Sequence, residues 1–235
     1  MTKGLVIVFG DSTAAKKEDS VRPETGWAEC FEGYLAPGWK LLNYAENGMS
    51  SKSFVRSGKI EEALLRAEYE LKKAEEDEEC DTFCAYFIIQ FGHNETKTSE
   101  DRFSLAEDFR GNIVSKMIHP IMKAGWQSVL LTPIPRFIFT EEGKVVNSFG
   151  EYLYTLHDFA SDADYFIDIH SLLSDLFEKA GKSKARKCYM NLEKGQCENY
   201  KNGRIDNTHL TEDGAAFVAY AIAKTMKEEG LECIR

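Results

Sequence analysis

No two cysteines in this chain have the Cys-x-x-Cys spacing of a zinc knuckle, although six cysteines are present: Cys30, Cys80, Cys84, Cys188, Cys197 and Cys233. Reduced, partly buried thiols are the expected state, and Cys188 and Cys197, which flank a loop-like stretch, would pair only in an exported protein. Basic charge is not in excess. Lys and Arg number 29 against 39 Asp and Glu, a net charge of -10, which excludes an overall nucleic-acid footprint. The same charge disfavours an anionic membrane surface at long range. No apolar run approaches the length of a membrane span. Met1-Thr2-Lys3-Gly4 leads into a strand without a charged region, an apolar export segment or a small-residue cleavage site, so a cytoplasmic location is expected. No linker, internal repeat or low-complexity segment divides the 235 residues, and one domain spanning 1–235 is expected.

Strand-like and helix-like segments alternate along the chain. Leu5 to Phe9, Lys40 to Ala45, Phe83 to Phe91, Gln127 to Thr132 and Tyr165 to Ile169 read as five strands. Phe83 to Phe91 is apolar almost throughout, as expected where both faces of a sheet are covered. Helices are expected over Thr25 to Leu35, Ile60 to Glu79, Phe103 to Ala124, Asn147 to Ser161 and Ser171 to Ala180, with Pro120 kinking or breaking the third. Thr211 is a plausible N-cap for a last helix, with Glu212 and Asp213 in its first turn. Residues 181–205 lack periodicity and read as an excursion near the site. The order implies an α/β fold, a five-stranded parallel sheet between two helical layers.

Four polar clusters fall at strand ends or before the last helix. They are Gly10-Asp11-Ser12-Thr13, Asn47-Gly48-Met49-Ser50-Ser51, Phe91-Gly92-His93-Asn94-Glu95 and Asp206-Asn207-Thr208-His209-Leu210. Strand ends of a parallel sheet share one edge, where α/β proteins place their ligands. A serine hydroxyl needs a base to take its proton and a carboxylate to orient that base. Asp206 and His209, three residues apart, suit those roles for Ser12. The backbone N–H groups of Ser12 and Gly48 and the side-chain amide of Asn94 suit an oxyanion. Each cluster alone has a duller reading: a turn and helix cap at Ser12, a tight turn at Asn47-Gly48, a polar loop at His93-Asn94. His119, His157 and His170 read as structural or surface residues, and Asp11 as shaping the turn. The weight lies in the co-occurrence, in order.

Together the clusters resemble the four blocks of the SGNH (GDSL-type) hydrolases. The resemblance runs from about residue 4 to residue 225. It assigns Ser12, Gly48, Asn94 and His209 to the residues that name the family, with Asp206 as third member of the triad. Gly26-Trp27, Ser51-Lys52-Ser53-Phe54, Gln90-Phe91-Gly92-His93-Asn94 and Thr132-Pro133-Ile134-Pro135-Arg136 extend the likeness to the rhamnogalacturonan acetylesterase branch. That branch removes acetyl groups from pectic sugars without a metal. Glu95 stands where the branch usually has Asp, and Ala28 follows Gly26-Trp27 where glycine is frequent.

The resemblance implies a flavodoxin-like three-layer α/β/α sandwich and a serine esterase acting on acetylated oligosaccharides or other small acetyl esters. It implies no metal or cofactor, and neither a nucleic acid nor a membrane as partner. Trp27 and Arg136 are weaker candidates for substrate contact. A general small-ester or lysophospholipid esterase of the same superfamily is the nearest alternative. A metal-dependent phosphoesterase and a non-catalytic carbohydrate-binding protein are the rivals from other classes. The phosphoesterase would need an early Asp-x-His and a late Gly-His-x-His, which are missing. The sugar and the oligomeric state are not legible in the sequence.

Overall fold

Alternation along the strands builds the core on two sides of one sheet. The computed structural model describes residues 2–235. Strands β1 (Thr2–Gly10), β2 (Trp39–Asn43), β3 (Thr82–Gln90), β4 (Gln127–Leu131) and β5 (Tyr165–Ile167) pair in the order β2-β1-β3-β4-β5, every pair parallel. Successive side chains of a strand point to opposite faces. Leu5, Ile7 and Phe9 of β1 therefore join Phe87 and Ile89 of β3 in one cluster, while Val6 and Val8 join Ile88 and Val129 in the other. Both clusters are solvent-free at these positions, which accounts for the continuous apolar runs.

Helices α1 (Ser51–Arg56), α2 (Lys59–Glu75), α3 (Ala106–Ile113), α4 (His119–Lys123) and α5 (Glu151–Asp158) lie on the first side. Helices α6 (Ile169–Ala180), α7 (Lys182–Arg186) and α8 (Glu212–Glu228) lie on the second. Helix α8 starts where Thr211 Oγ1 accepts from the Gly214 N–H at 3.1 Å, as expected of an N-cap.

Three expected helices differ from the observed chain. Thr25 to Leu35 forms two short 3-10 turns, Trp27–Cys30 and Glu32–Tyr34. Gly26 lies so close to the preceding turn that a Cβ would stand 2.1 Å from the Ala15 carbonyl oxygen, and Trp27 and Phe31 must both enter the core. These contacts override the helical spacing. The segment before Pro120 contains a π-helical turn, Val114–Ile118, joining α3 to α4. The wider register accommodates the residue that cannot donate without a break in the helix. Residues 147–161 shorten to α5, because Phe149 N–H donates to Asn147 Oδ1 at 2.9 Å and Gly150 turns with φ +58°. All six cysteines are free, Cys188 and Cys197 included. Among the described residues no helix is long and apolar enough to cross a membrane.

Candidate active site

The nucleophile candidate stands where β1 ends. After Gly10 the chain turns tightly, the Ala14 and Ala15 N–H groups both donating to the Asp11 carbonyl. The Asp11 carboxylate accepts from the Thr13 N–H and Thr13 hydroxyl, each at 2.8 Å, and so locks the turn. Ser12 is lifted to the carboxyl edge of the sheet and is 7% exposed. Its Oγ lies 2.9 Å from His209 Nε2. His209 Nδ1 lies 2.7 Å from Asp206 Oδ2. The three-residue separation works as the sequence suggests: Asp206 Oδ1 also accepts from the Thr208 and His209 N–H groups, at 2.9 and 3.0 Å. Burial alone would raise the Asp206 carboxyl, but the hydrogen bonds from His209 and its charge carry it well below the ordinary carboxylate range. An ionised carboxylate fixes the Nδ1–H tautomer and leaves Nε2 to accept the Ser12 proton.

The other two clusters are tied to the same edge. Glu46 N–H donates to the Gly10 carbonyl at 3.2 Å, which sets the turn bearing Asn47 and Gly48 beside β1. Gly48 has φ +78°, a conformation that favours glycine. Asn94 Nδ2 donates to the Met49 carbonyl at 2.9 Å, joining the turn after β3 to the turn after β2. That bond uses one of the two amide protons. Among the described residues no protein acceptor engages the N–H of Ser12 or of Gly48. The Ser12 and Gly48 N–H groups and one Asn94 amide proton are thus left without a protein acceptor.

Glu95 occupies the seam between these turns and is fully buried. Its carboxylate accepts from the Ser51 N–H at 2.7 Å, at the start of α1, and from the Asn94 N–H at 3.1 Å. Burial lifts its pKa from 4.5 to about 7, helped by the Asp11 charge and opposed by the Ser51 hydrogen bond. A longer acid than the usual aspartate therefore still braces Asn94.

Two weaker candidates take other places. Trp27 is fully buried, with its indole N–H on Gln90 Oε1 at 2.8 Å, so it packs beneath the nucleophile turn and is not a substrate contact. The large flat ring suited a sugar contact in the sequence, but the core needed it. Arg136 is half-buried, donates to the His93 carbonyl at 3.0 Å and lies 5.2 Å over the Phe149 ring. Its guanidinium braces the Asn94 turn from behind. The excursion at 181–205 does reach the site's frame: Met190 N–H donates to the His209 carbonyl at 2.9 Å, and Asn191 Nδ2 to the Asp206 carbonyl at 3.3 Å. A groove of about 610 Å³ behind this loop, lined by Pro23, Arg186, Tyr189, Asn191 and Thr211 among others, includes none of the triad.

Among the described residues no group of three His, Cys, Asp or Glu side chains is placed to hold a metal ion. What the edge does bring together is the Ser12 hydroxyl, the His209 imidazole, the Asp206 carboxylate and the Asn94 amide.

No protein-family model matches the chain. Rhamnogalacturonan acetylesterase RhgT of Bacillus subtilis (strain 168) is 28% identical over 228 residues, which cover 96% of this chain and 90% of the relative. The probable rhamnogalacturonan acetylesterase YesY of the same organism is 27% identical over 228 residues, covering 96% and 94%. The expected resemblance to that branch is borne out. Among solved structures, the YxiM protein of Bacillus subtilis superposes with a TM-score of 0.77 at 22% identity, over 99% of this chain. The chain spans only 58% of that protein's length. The sheet and its two helical layers are those of the SGNH hydrolase fold.

Among the residues that support the site, His93 lies in a cluster the sequence singles out, whereas the charged residues around Glu24 carry no such signal. His93 binds Asp11, and Arg204 binds both Asp206 and Glu24. Lys17, Glu24 and Arg204 are charged loop residues without diagnostic spacing. Burial marks Lys17 and Glu24 and contacts with Glu24 and Asp206 mark Arg204, and neither is legible from the neighbours in sequence.

Proposed function

We propose that this chain is a serine carbohydrate acetylesterase, one hydrolase domain over residues 1–235, which removes O-acetyl groups from a saccharide. The hydrogen-bonded series Ser12–His209–Asp206, at 2.9 and 2.7 Å, carries the reading. The names of the relatives, rhamnogalacturonan acetylesterases, support an acetylated pectic sugar or oligosaccharide as substrate.

In the first step Ser12 Oγ attacks the acetyl carbonyl carbon while its proton passes to His209 Nε2. The carbonyl π electrons move onto oxygen, which the Ser12 N–H, Gly48 N–H and Asn94 amide receive. Collapse of the intermediate breaks the bond to the sugar oxygen. His209 returns the proton to that oxygen, and a sugar hydroxyl leaves. In the second step water gives its proton to His209 and attacks the acetyl-Ser12 carbonyl. Acetate departs, and Ser12 recovers its proton.

Acetate release from acetylated pectic oligosaccharides and from 4-nitrophenyl acetate tests the reading, with and without EDTA. The expected result is release unchanged by EDTA. Activity lost in EDTA and restored by added metal would assign the chain to metal-dependent hydrolysis. Binding of the saccharide without any release would assign it to the carbohydrate-binding proteins.

A further inference from the structure

A second, buried charge network faces the same imidazole as the triad. Lys17 Nζ lies 2.9 Å from Glu24 Oε1, with side chains 1% and 9% exposed. The same ammonium donates to Asn47 Oδ1, beside Gly48. Glu24 Oε2 accepts from one Arg204 nitrogen at 2.8 Å, and the other terminal nitrogen of Arg204 binds Asp206 Oδ2. Glu24 Oε1 itself stands 4.0 Å from His209 Nε2, the nitrogen that faces Ser12. One set of contacts therefore runs from the base, through two carboxylates and two cations, to the turn that presents an oxyanion donor.

Packing alone does not account for this arrangement. A buried ion pair contributes little net stability compared with apolar side chains of the same volume, because both charges must leave water. Beyond each other, the charged ends of this pair contact Asn47, Arg204 and His209. Burial would raise the Glu24 carboxyl, but His209, Lys17 and Arg204 hold it below its ordinary value, so it is ionised. The charged side chains that face His209 are Asp206 and Glu24, and Lys17 and Arg204 reach it through those two carboxylates. Arg22, next in the loop, is matched by Glu29 at 2.6 Å. Glu212 and Asp213 at the start of α8 are exposed, and Asp11, next to Ser12, is paired with His93 at 3.0 Å.

We propose that Glu24 and Lys17 are positioning residues of opposite sign for the Ser12 reaction. Glu24 stabilises the imidazolium from the Nε2 side, complementing Asp206 at Nδ1. Lys17 limits that negative charge and fastens the Asn47–Gly48 turn through its bond to Asn47. The charge that appears on His209 as Ser12 attacks is thereby linked to the donors that receive the oxyanion. The inference rests on the serine-esterase reading.

The test is the pH dependence of kcat/KM for acetate release from phenyl acetate by wild type, Glu24→Gln, Lys17→Met, Lys17→Arg and Ser12→Ala. Glu24→Gln removes a negative charge near the base, so the acid limb moves to lower pH, by roughly half a unit or more, and the plateau falls. Lys17→Met leaves Glu24 less compensated, so the limb moves to higher pH, and kcat falls with little change in KM. Lys17→Arg keeps the charge and holds the limb at its wild-type position. Shifts of opposite sign support the proposal, because a purely structural pair would lower activity without moving the limb. An unmoved limb in Glu24→Gln overturns it, whether or not Lys17→Met folds. So do shifts of the same sign. If Ser12→Ala is inactive while the Glu24→Gln limb matches wild type, this inference alone fails. If Ser12→Ala keeps the wild-type rate, the serine mechanism fails with it.

Discussion

His93 Nδ1 lies 3.0 Å from Asp11 Oδ2, and this buried pair ties the turn that carries Ser12 to the turn that carries Asn94. The other ring nitrogen, Nε2, lies 3.1 Å from the Ile134 carbonyl. Both nitrogens thus face acceptors. Burial would raise Asp11, but the His93 charge and hydrogen bond bring it below the ordinary value. His93→Ala leaves a fully buried carboxylate without its cation. The expected cost is about 3–5 kcal/mol in chemical denaturation. Activity of the folded variant falls as well, because the Ser12 and Asn94 turns are no longer held together. A loss under about 1 kcal/mol would contradict the reading of Asp11 and His93 as a buried pair that holds the two turns together.

Glu95 imposes a pH dependence of the opposite sign to most buried, paired carboxylates. Its pKa rises from 4.5 to about 7, with burial the largest cause. The folded chain therefore binds this proton more tightly than the unfolded chain, and the contribution to stability falls as pH rises between those values. Glu95→Gln removes the titration. The difference in Tm, wild type minus variant, is expected to decrease between about pH 5 and about pH 8 and to level off above that. A difference that is flat or increases over this range would contradict the assignment.

The sequence carried the triad and the frame of the fold more fully than the supports of the site. Ser12, Asp206 and His209 are legible because the proposed reaction requires those residue types at strand ends and within one turn. The strands are legible because both faces of β1 and β3 are buried, leaving continuous apolar runs. Trp27 suited a core aromatic as well as a substrate contact in the sequence, and its burial places it in the core. The 3-10 turns after Gly26 escaped because a close backbone contact with Ala15, and not local propensity, sets them. Lys17 and Glu24 belong to no motif, and only the fold buries them as a pair with Glu24 beside His209.

Gly48 is a conformational requirement more than a steric one. Its φ is +78°, and the nearest atom to an added Cβ is an Arg102 guanidinium nitrogen at 3.8 Å. Gly48→Ala has room for its methyl group, but the left-handed backbone disfavours it by about 1–2 kcal/mol. A turn that relaxes away from that conformation withdraws the Gly48 N–H from the oxyanion. Loss of one such donor lowers kcat by about 10²–10³-fold, with KM changed much less. Steady-state kinetics on one acetyl ester separates the two parameters. A rise in KM at constant kcat would place Gly48 in ground-state binding instead.

An acyl group on Ser12 is the direct consequence of the proposed chemistry, and mass spectrometry can see it. The protein is mixed with 4-nitrophenyl acetate, quenched in acid during turnover, and digested. The account predicts one added acetyl group on the peptide containing Ser12, absent from Ser12→Ala, whose hydrolysis rate falls to the uncatalysed background. Turnover by Ser12→Ala at the wild-type rate, with no acetyl group on Ser12 of the wild type, would contradict it.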